Sequence, residues 1–118
     1  MSTITLPFPP KELSPNSHCP WQVKATYVKA YRHECHVEAR SQWAFAPLPP
    51  RPVQATITFV LKGKVRRDWD NLLASFKAGI DGIVDAGLLP DDDVRSWSLT
   101  LRYEQGNKAC VRVELASA

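Results

Sequence analysis

One stretch of this chain, residues 64–94, constrains the protein most, because acidic clusters stand at both ends of one helical pattern. Asp68 and Asp70 lie one residue apart at its start, and the run Asp91–Asp93 closes it. Neighbouring carboxylates repel one another, so such a cluster normally needs a cation or a bound proton. Hard oxygen ligands favour Mg²⁺ or Mn²⁺. The pattern therefore predicts a divalent metal site.

The charge of the chain is divided unevenly around this stretch. Residues 1–67 hold ten Lys and Arg against three acidic residues, whereas residues 68–118 hold five against nine. The formal net charge of +3 permits a polyanionic partner. A metal site beside basic residues predicts chemistry on a phosphate ester.

Length and cysteine usage limit the class of protein. At 118 residues the chain has the size of one domain, covering residues 1–118, with a core of its own. The three cysteines show no metal-binding spacing, which favours a reduced, cytoplasmic protein. No apolar run approaches the ~20 residues that span a bilayer, so no membrane contact is expected.

Hydrophobic periodicity predicts an α+β fold in the order β-α-β-α-β-β. The predicted strands cover residues 3–8, 55–61, 96–104 and 109–115, and the predicted helices cover residues 21–40 and 69–86. A short polar turn joins the last two strands, so they are expected to pair as a hairpin. The first strand is expected at an edge, because Pro7 cannot donate a ladder hydrogen bond. Together these elements predict a mixed four-stranded sheet with two helices packed on it.

The first predicted helix has an apolar stripe that is expected to face the core. Its members are Trp21, Ala25, Val28, Cys35 and Ala39. A polar stripe from Gln22 to Arg40 follows the same helical spacing on another face. That polar stripe is either a solvated surface or a surface that contacts phosphates.

The second predicted helix combines acidic and basic residues on one face. Asp70, Lys77 and Asp81 fall within about 40° of one another on a helical wheel. By itself, the Lys77–Asp81 pair would be an exposed ion pair that contributes little stability. Beside a metal and a phosphate, the lysine would instead neutralise the scissile group. Asp68 and Asp70 are also good N-cap residues, so a purely structural role stays open.

Several blocks of this sequence resemble the RusA family of Holliday junction resolvases. The central blocks are Arg67–Leu72, Lys77–Ile83 and Ala86–Val94. The family carries Arg-Asp-x-Asp-Asn, then a lysine, an aspartate four residues further on, and a closing Asp-Asp. The opening Leu6–Pro10 and the segment Ser14–Asn16 also resemble the family's N-terminus. The resemblance covers most of the chain.

The resemblance implies a homodimeric, Mg²⁺-dependent endonuclease of RusA-like fold that resolves four-way DNA junctions by symmetric paired nicks, in recombination and repair. Family members of this kind are common in phages and prophages. Asp68 and Asp70 would be the first metal ligands, Asp92 with Asp91 beside it the next, and Lys77 the catalytic lysine. Mn²⁺ is an alternative metal. Basic residues would hold the flanking DNA phosphates, namely Lys24, Lys29, Lys64, Arg66 and Arg67.

This sequence differs from the family pattern in the position of the lysine. The family places it four residues after the second aspartate, whereas Lys77 follows Asp70 by seven. Both spacings return to nearly the same helical face, but one extra turn moves the lysine by ~5 Å along the axis. Two other functions stay open: a non-catalytic DNA-binding module of the same fold, and a metal-dependent nuclease for other branched DNA or RNA.

A continuous second helix would also separate the carboxylates. Over residues 69–86 it would be ~27 Å long, which would place Asp68 far from Asp92. The helix is therefore expected to break near Gly79 or Gly82, or the loop to fold back, or two subunits to complete each site.

Overall fold

The computed structural model describes residues 2–43, 47–64, 66–90, 95 and 97–117. Within them the fold is α+β, as predicted, with a mixed four-stranded sheet. The strands are β1 (Ser2–Pro7), β2 (Val53–Leu61), β3 (Trp97–Gln105) and β4 (Cys110–Ser117). The α-helices are α1 (Trp21–Trp43), α2 (Trp69–Ser75) and α3 (Lys77–Asp85), and a short 3₁₀ helix spans Lys11–Leu13.

The strand order of the sheet is β1-β4-β2-β3. β4 lies antiparallel to both β1 and β2, and β3 runs parallel to β2. The predicted hairpin between the last two strands is therefore wrong. Gly106 donates its backbone N–H to the carbonyl of Leu61 (3.0 Å), so the chain leaving β3 crosses the end of β2 before it enters β4. β2 is buried on both faces towards this end, which is typical of a central strand with partners on both edges.

One face of the sheet forms the core. Ile4, Ile57, Phe59 and Val113 point to this face and are at most 1% exposed. Burial of each such side chain contributes about 1.5–3 kcal/mol before entropy is counted. β1 lies at the edge next to β4, as Pro7 predicts. On β3, at the other edge, Trp97 and Leu101 pack against the core, whereas Leu99 is 39% exposed and Tyr103 is 53% exposed.

Only the second half of α1 packs on the core. Its buried side chains are Tyr31, Cys35, Ala39 and Trp43. The predicted apolar stripe is wrong for the first turns, because Trp21 is 76% exposed and Val28 is 37% exposed. The helix before residue 31 therefore has little of the fold beneath it. Within the described residues, no helix combines the length and the apolar character that crossing a membrane requires.

The predicted second helix is two helices, because the helical backbone is interrupted at Phe76. Phe76 has φ −93° and ψ 1°, outside the helical region. Its side chain is fully buried, with edge-on ring contacts to Phe59 (6.0 Å between centroids) and Tyr31 (6.4 Å). A break near Gly79 or Gly82 is one of the three alternatives that the sequence leaves open. The helix does break, but the expected position is wrong, because the break lies at Phe76, whose ring contacts β2 and α1.

The glycines of α3 serve packing and termination instead. At Gly82 a Cβ atom would lie 2.5 Å from the carbonyl oxygen of Arg32, so α3 crosses α1 with no side chain between the backbones. α3 ends at Asp85, and Gly87 just beyond it has φ 82°, the left-handed conformation that stops a helix, as predicted. Leu88 donates its N–H to the carbonyl of Ile83 (3.2 Å), which completes a Schellman motif.

Candidate functional site

A cavity of about 610 Å³ opens where the end of β1, the turn that follows it and the start of α2 meet. Its apolar wall consists of Phe8, Pro9, Pro10 and Leu72. Its polar lining consists of Lys11, Ser14, Asn16, Arg66, Arg67, Asp68, Asn71 and Ser75. We call it the Asp68 cavity.

Asp68 stands at the N-terminus of α2, and among the described residues its carboxylate has one long ionic contact. Its backbone is extended, and its carbonyl accepts the N–H of Leu72 (3.0 Å), as an N-cap residue does. The carboxylate nevertheless makes no capping hydrogen bond. The side chain is 58% exposed, and its salt-bridge contact is a long one, with Nε of Arg66 3.9 Å from Oδ1. The Asp68 oxygens are therefore available to a ligand.

Asp70 lies in the first turn of α2 and is exposed. Its Oδ1 accepts the backbone N–H of Asn71 (3.0 Å), which occupies only part of the acceptor capacity of a carboxylate. Asp70 does not line the Asp68 cavity. Two exposed carboxylates thus stand at one helix end, and carboxylate oxygens are ligands that Mg²⁺ prefers.

The other predicted metal ligands, Asp91 and Asp92, lie outside the described residues, as does Asp93. In the part of the chain that the structure describes, no three Asp, Glu, His or Cys side chains come together as a metal site. A site formed by both acidic clusters stays a prediction.

Lys77 lies in a neighbouring cavity. It is the first residue of α3, and its Nζ lies 2.9 Å from Oδ1 of Asp81. Both line a cavity of about 200 Å³ together with Lys24. Ser75 lines this cavity and the Asp68 cavity, so the two adjoin. The predicted strip of Asp70, Lys77 and Asp81 on one helix is wrong, because the break at Phe76 places Asp70 on a different helix.

The predicted phosphate-binding residues divide into two groups. Arg66 and Arg67 line the Asp68 cavity, and Lys64 is exposed just before them. Arg66 is 93% exposed, which leaves its guanidinium accessible to a polyanion. Lys24 belongs to the neighbouring cavity, and Lys29 is exposed on α1. The structure therefore brings only the arginines next to Asp68.

Three residues that line the Asp68 cavity are not among the predicted site residues, namely Lys11, Asn16 and Asn71. The two asparagines carried a signal, because both belong to segments that resemble the RusA family. Lys11 follows Pro10 with no recognisable pattern. Only the turn after β1 brings it to the cavity.

Two other groups of reactive side chains have structural roles. Arg32 on α1 donates two hydrogen bonds to Asp85, the last residue of α3 (2.6 and 2.8 Å), and this contact lowers the pKa of Asp85. Burial raises the pKa of Cys35 to about 12, so its thiol stays protonated and is a poor nucleophile. All three cysteines are free.

No family model matches this chain. The chain is similar to an uncharacterized protein of Xylella fastidiosa (strain Temecula1), with 39% identity over 88 residues. The matched segment covers 73% of this chain and 58% of the relative. The chain therefore spans less than two thirds of that protein's length.

Proposed function

We propose that this protein is a Mg²⁺-dependent endodeoxyribonuclease that cuts four-way DNA junctions by symmetric paired nicks, in recombination and repair. The observation that carries the proposal is the pair Asp68 and Asp70, whose oxygens are largely unbonded, at one helix end beside Arg66 and Arg67. The sequence resemblance to the RusA family supports the choice of substrate.

In this proposal Asp68, Asp70, Asp91 and Asp92 hold one or two Mg²⁺ or Mn²⁺ ions. Bound metal would supply a nucleophilic water of lowered pKa and polarise the phosphate. The chain's own basic residues position the DNA by its phosphates, with Arg66 and Arg67 nearest Asp68. Lys77 would offset negative charge on the phosphate from the neighbouring cavity.

Symmetric cutting calls for a twofold dimer, which we include in the proposal. Apolar side chains stay exposed on both α1 and β3. The most exposed of them are Trp21 and Tyr103. The free cysteines fit a reducing compartment, and we place the protein in the cytoplasm of a bacterial or phage-infected cell.

The proposal is tested with the wild-type protein on labelled four-way junction, linear DNA duplex and branched RNA, each with and without Mg²⁺. We expect paired cuts in the junction that need Mg²⁺ or Mn²⁺, and slower cutting of the other two substrates. A junction that is bound but stays uncut in both metals would instead favour the non-catalytic DNA-binding module. Equal cutting of branched RNA would favour the alternative of a metal-dependent nuclease for other branched DNA or RNA.

Removal of the basic side chains between β2 and α2 is expected to change the salt dependence of junction binding. With Lys64, Arg66 and Arg67 replaced by alanine, the slope of log K against log [salt] should fall by about 0.9 for each lost phosphate contact. The loss should be similar for all junction sequences, because phosphate contacts do not read bases. Fluorescence anisotropy in EDTA measures the binding constant at each salt concentration. The control is Arg51→Ala, because Arg51 is an exposed cation at the opposite end of β2. An unchanged slope in the triple variant would show that these three residues do not contact the DNA.

A further inference from the structure

One side of the Asp68 cavity is suited to a flat ring. This apolar wall consists of Phe8, Pro9, Pro10 and Leu72. Pro9 and Leu72 are the buried members of the wall. The guanidinium of Arg67 lies over the Phe8 ring, 5.8 Å from its centre, so these two planar groups face each other at the cavity. Nucleobases stack on aromatic and guanidinium groups whatever their sequence.

The polar side of the cavity holds two uncommitted amides. Ser75 donates its hydroxyl to the carbonyl of Asn71 (2.7 Å), and the hydroxyl of Ser14 accepts the N–H of Asn16 (3.3 Å). These serines are therefore engaged in local structure. Among the described residues, the side-chain amides of Asn16 and Asn71 make no hydrogen bond. Each amide offers donors and an acceptor, which is what the edge of a base requires.

The rim of the cavity carries charges that fit the phosphate of a nucleotide. Lys11 and Arg66 are exposed cations on the rim, and Asp68 lies beside them. The volume of about 610 Å³ falls within the range of about 300–1,000 Å³ that is typical of small-ligand sites. A site for phosphate alone needs neither this volume nor an apolar wall.

A base within a duplex cannot reach such a cavity, because it is stacked and paired. Moving a base out of the stack costs least where the stack is already interrupted. The branch point of a junction is such a place. A nucleotide that enters there would present its phosphate at the rim, next to Asp68.

We propose that the Asp68 cavity binds one unstacked nucleotide of the junction, with its base against the wall from Phe8 to Pro10 and the base edge read by Asn16 and Asn71. This inference rests on the proposed nuclease function, since it identifies the nucleotide beside the scissile phosphate. The cavity then sets a preference for the base at that position.

The first test uses free nucleotides without metal. Each of the four deoxynucleoside 5′-monophosphates is titrated into ¹⁵N-labelled protein, and the side-chain amide signals of Asn16 and Asn71 are followed. We expect these signals to shift, with one base bound more tightly than the others. Asn16→Ala should weaken binding roughly fivefold, the usual effect of one lost hydrogen bond. The control is Arg51→Ala, and the backbone spectrum verifies that each variant is folded.

Inorganic phosphate is the comparison ligand. If phosphate alone produces the same shifts as the nucleotides, the cavity is a phosphate site and the inference is overturned. Shifts that need the base support it.

The second test uses junctions with 2-aminopurine placed at successive positions around the branch point, in EDTA. We expect a fluorescence increase at one position in each cut strand, and a smaller increase with Asn16→Ala at equal junction occupancy. If the wild type binds and cuts junctions but no position responds, the inference fails and the nuclease proposal stands. If junctions are neither bound nor cut, the nuclease proposal fails, and the nucleotide titration alone decides whether the cavity is a nucleotide site.

Discussion

Asp70→Asn is expected to leave the protein folded and able to bind junction DNA, while cleavage falls by roughly a hundredfold or more, the usual effect of removing one charge-stabilising group. Asp70 is exposed, and its Oδ1 accepts one hydrogen bond from the N–H of Asn71. The amide oxygen of asparagine can accept the same bond, so stability should change by no more than about 0.5 kcal/mol. Asparagine lacks the negative charge that a Mg²⁺ ligand supplies.

The measurement compares single-turnover cleavage in Mg²⁺ with junction binding in EDTA. Binding should be equal or tighter in the variant, because repulsion between the carboxylate and DNA phosphate is removed. Added Mg²⁺ or Mn²⁺ should restore little cleavage. Glu34→Gln, an exposed acid on α1, is the matched control and should cut normally. A folded Asp70→Asn protein with near wild-type cleavage would eliminate the proposed active site.

Phe76→Ala is expected to lower the free energy of unfolding by about 3–5 kcal/mol, the typical cost of emptying a buried aromatic site. Phe76 is fully buried and contacts the rings of Phe59 and Tyr31. Its ring also lies against Gly79, where a Cβ atom would overlap it. The variant therefore removes the packing between α3 and the sheet at the point where α2 and α3 join.

Urea unfolding measures this loss, and the melting temperature should fall by roughly 10–20 °C. Tyr103→Ala removes an aromatic ring that is 53% exposed, so it should cost less than about 1 kcal/mol. Phe76→Leu keeps most of the buried volume, so its loss of unfolding free energy should lie between those of Phe76→Ala and Tyr103→Ala. A loss below about 1 kcal/mol for Phe76→Ala would show that this ring does not hold the helix break.

Local periodicity was sufficient to locate the four strands and the first helix. The alternation of apolar residues located four strands, and Pro7 and Gly87 correctly indicated an edge strand and a helix end. These features depend on neighbouring residues only, so a sequence read locally contains them. The same is true of Asp68 and Asp70, whose chemistry and spacing are visible without a fold.

Contacts between distant residues were not readable in this way. A polar turn of a few residues fits a hairpin as well as a crossing over the end of β2, and the pairing of β2 with both neighbours decided between them. An apolar stripe such as that of Trp21 and Val28 does not reveal how far the sheet extends beneath it. The break at Phe76 depends on rings supplied by β2 and α1.

The sequence by itself determined the class of fold and the acidic residues from which a metal site could be built, because both follow from residue type and local spacing. Only the tertiary structure decided that Lys77 and Asp70 lie on different helices, since the anchor of the break is a long-range contact. It also decided that Lys11, Asn16 and Asn71 share one cavity with Asp68. Lys11 and Asn16 come from the turn after β1, whereas Asp68 and Asn71 lie at the start of α2, and only packing of that turn against α2 brings the two segments together.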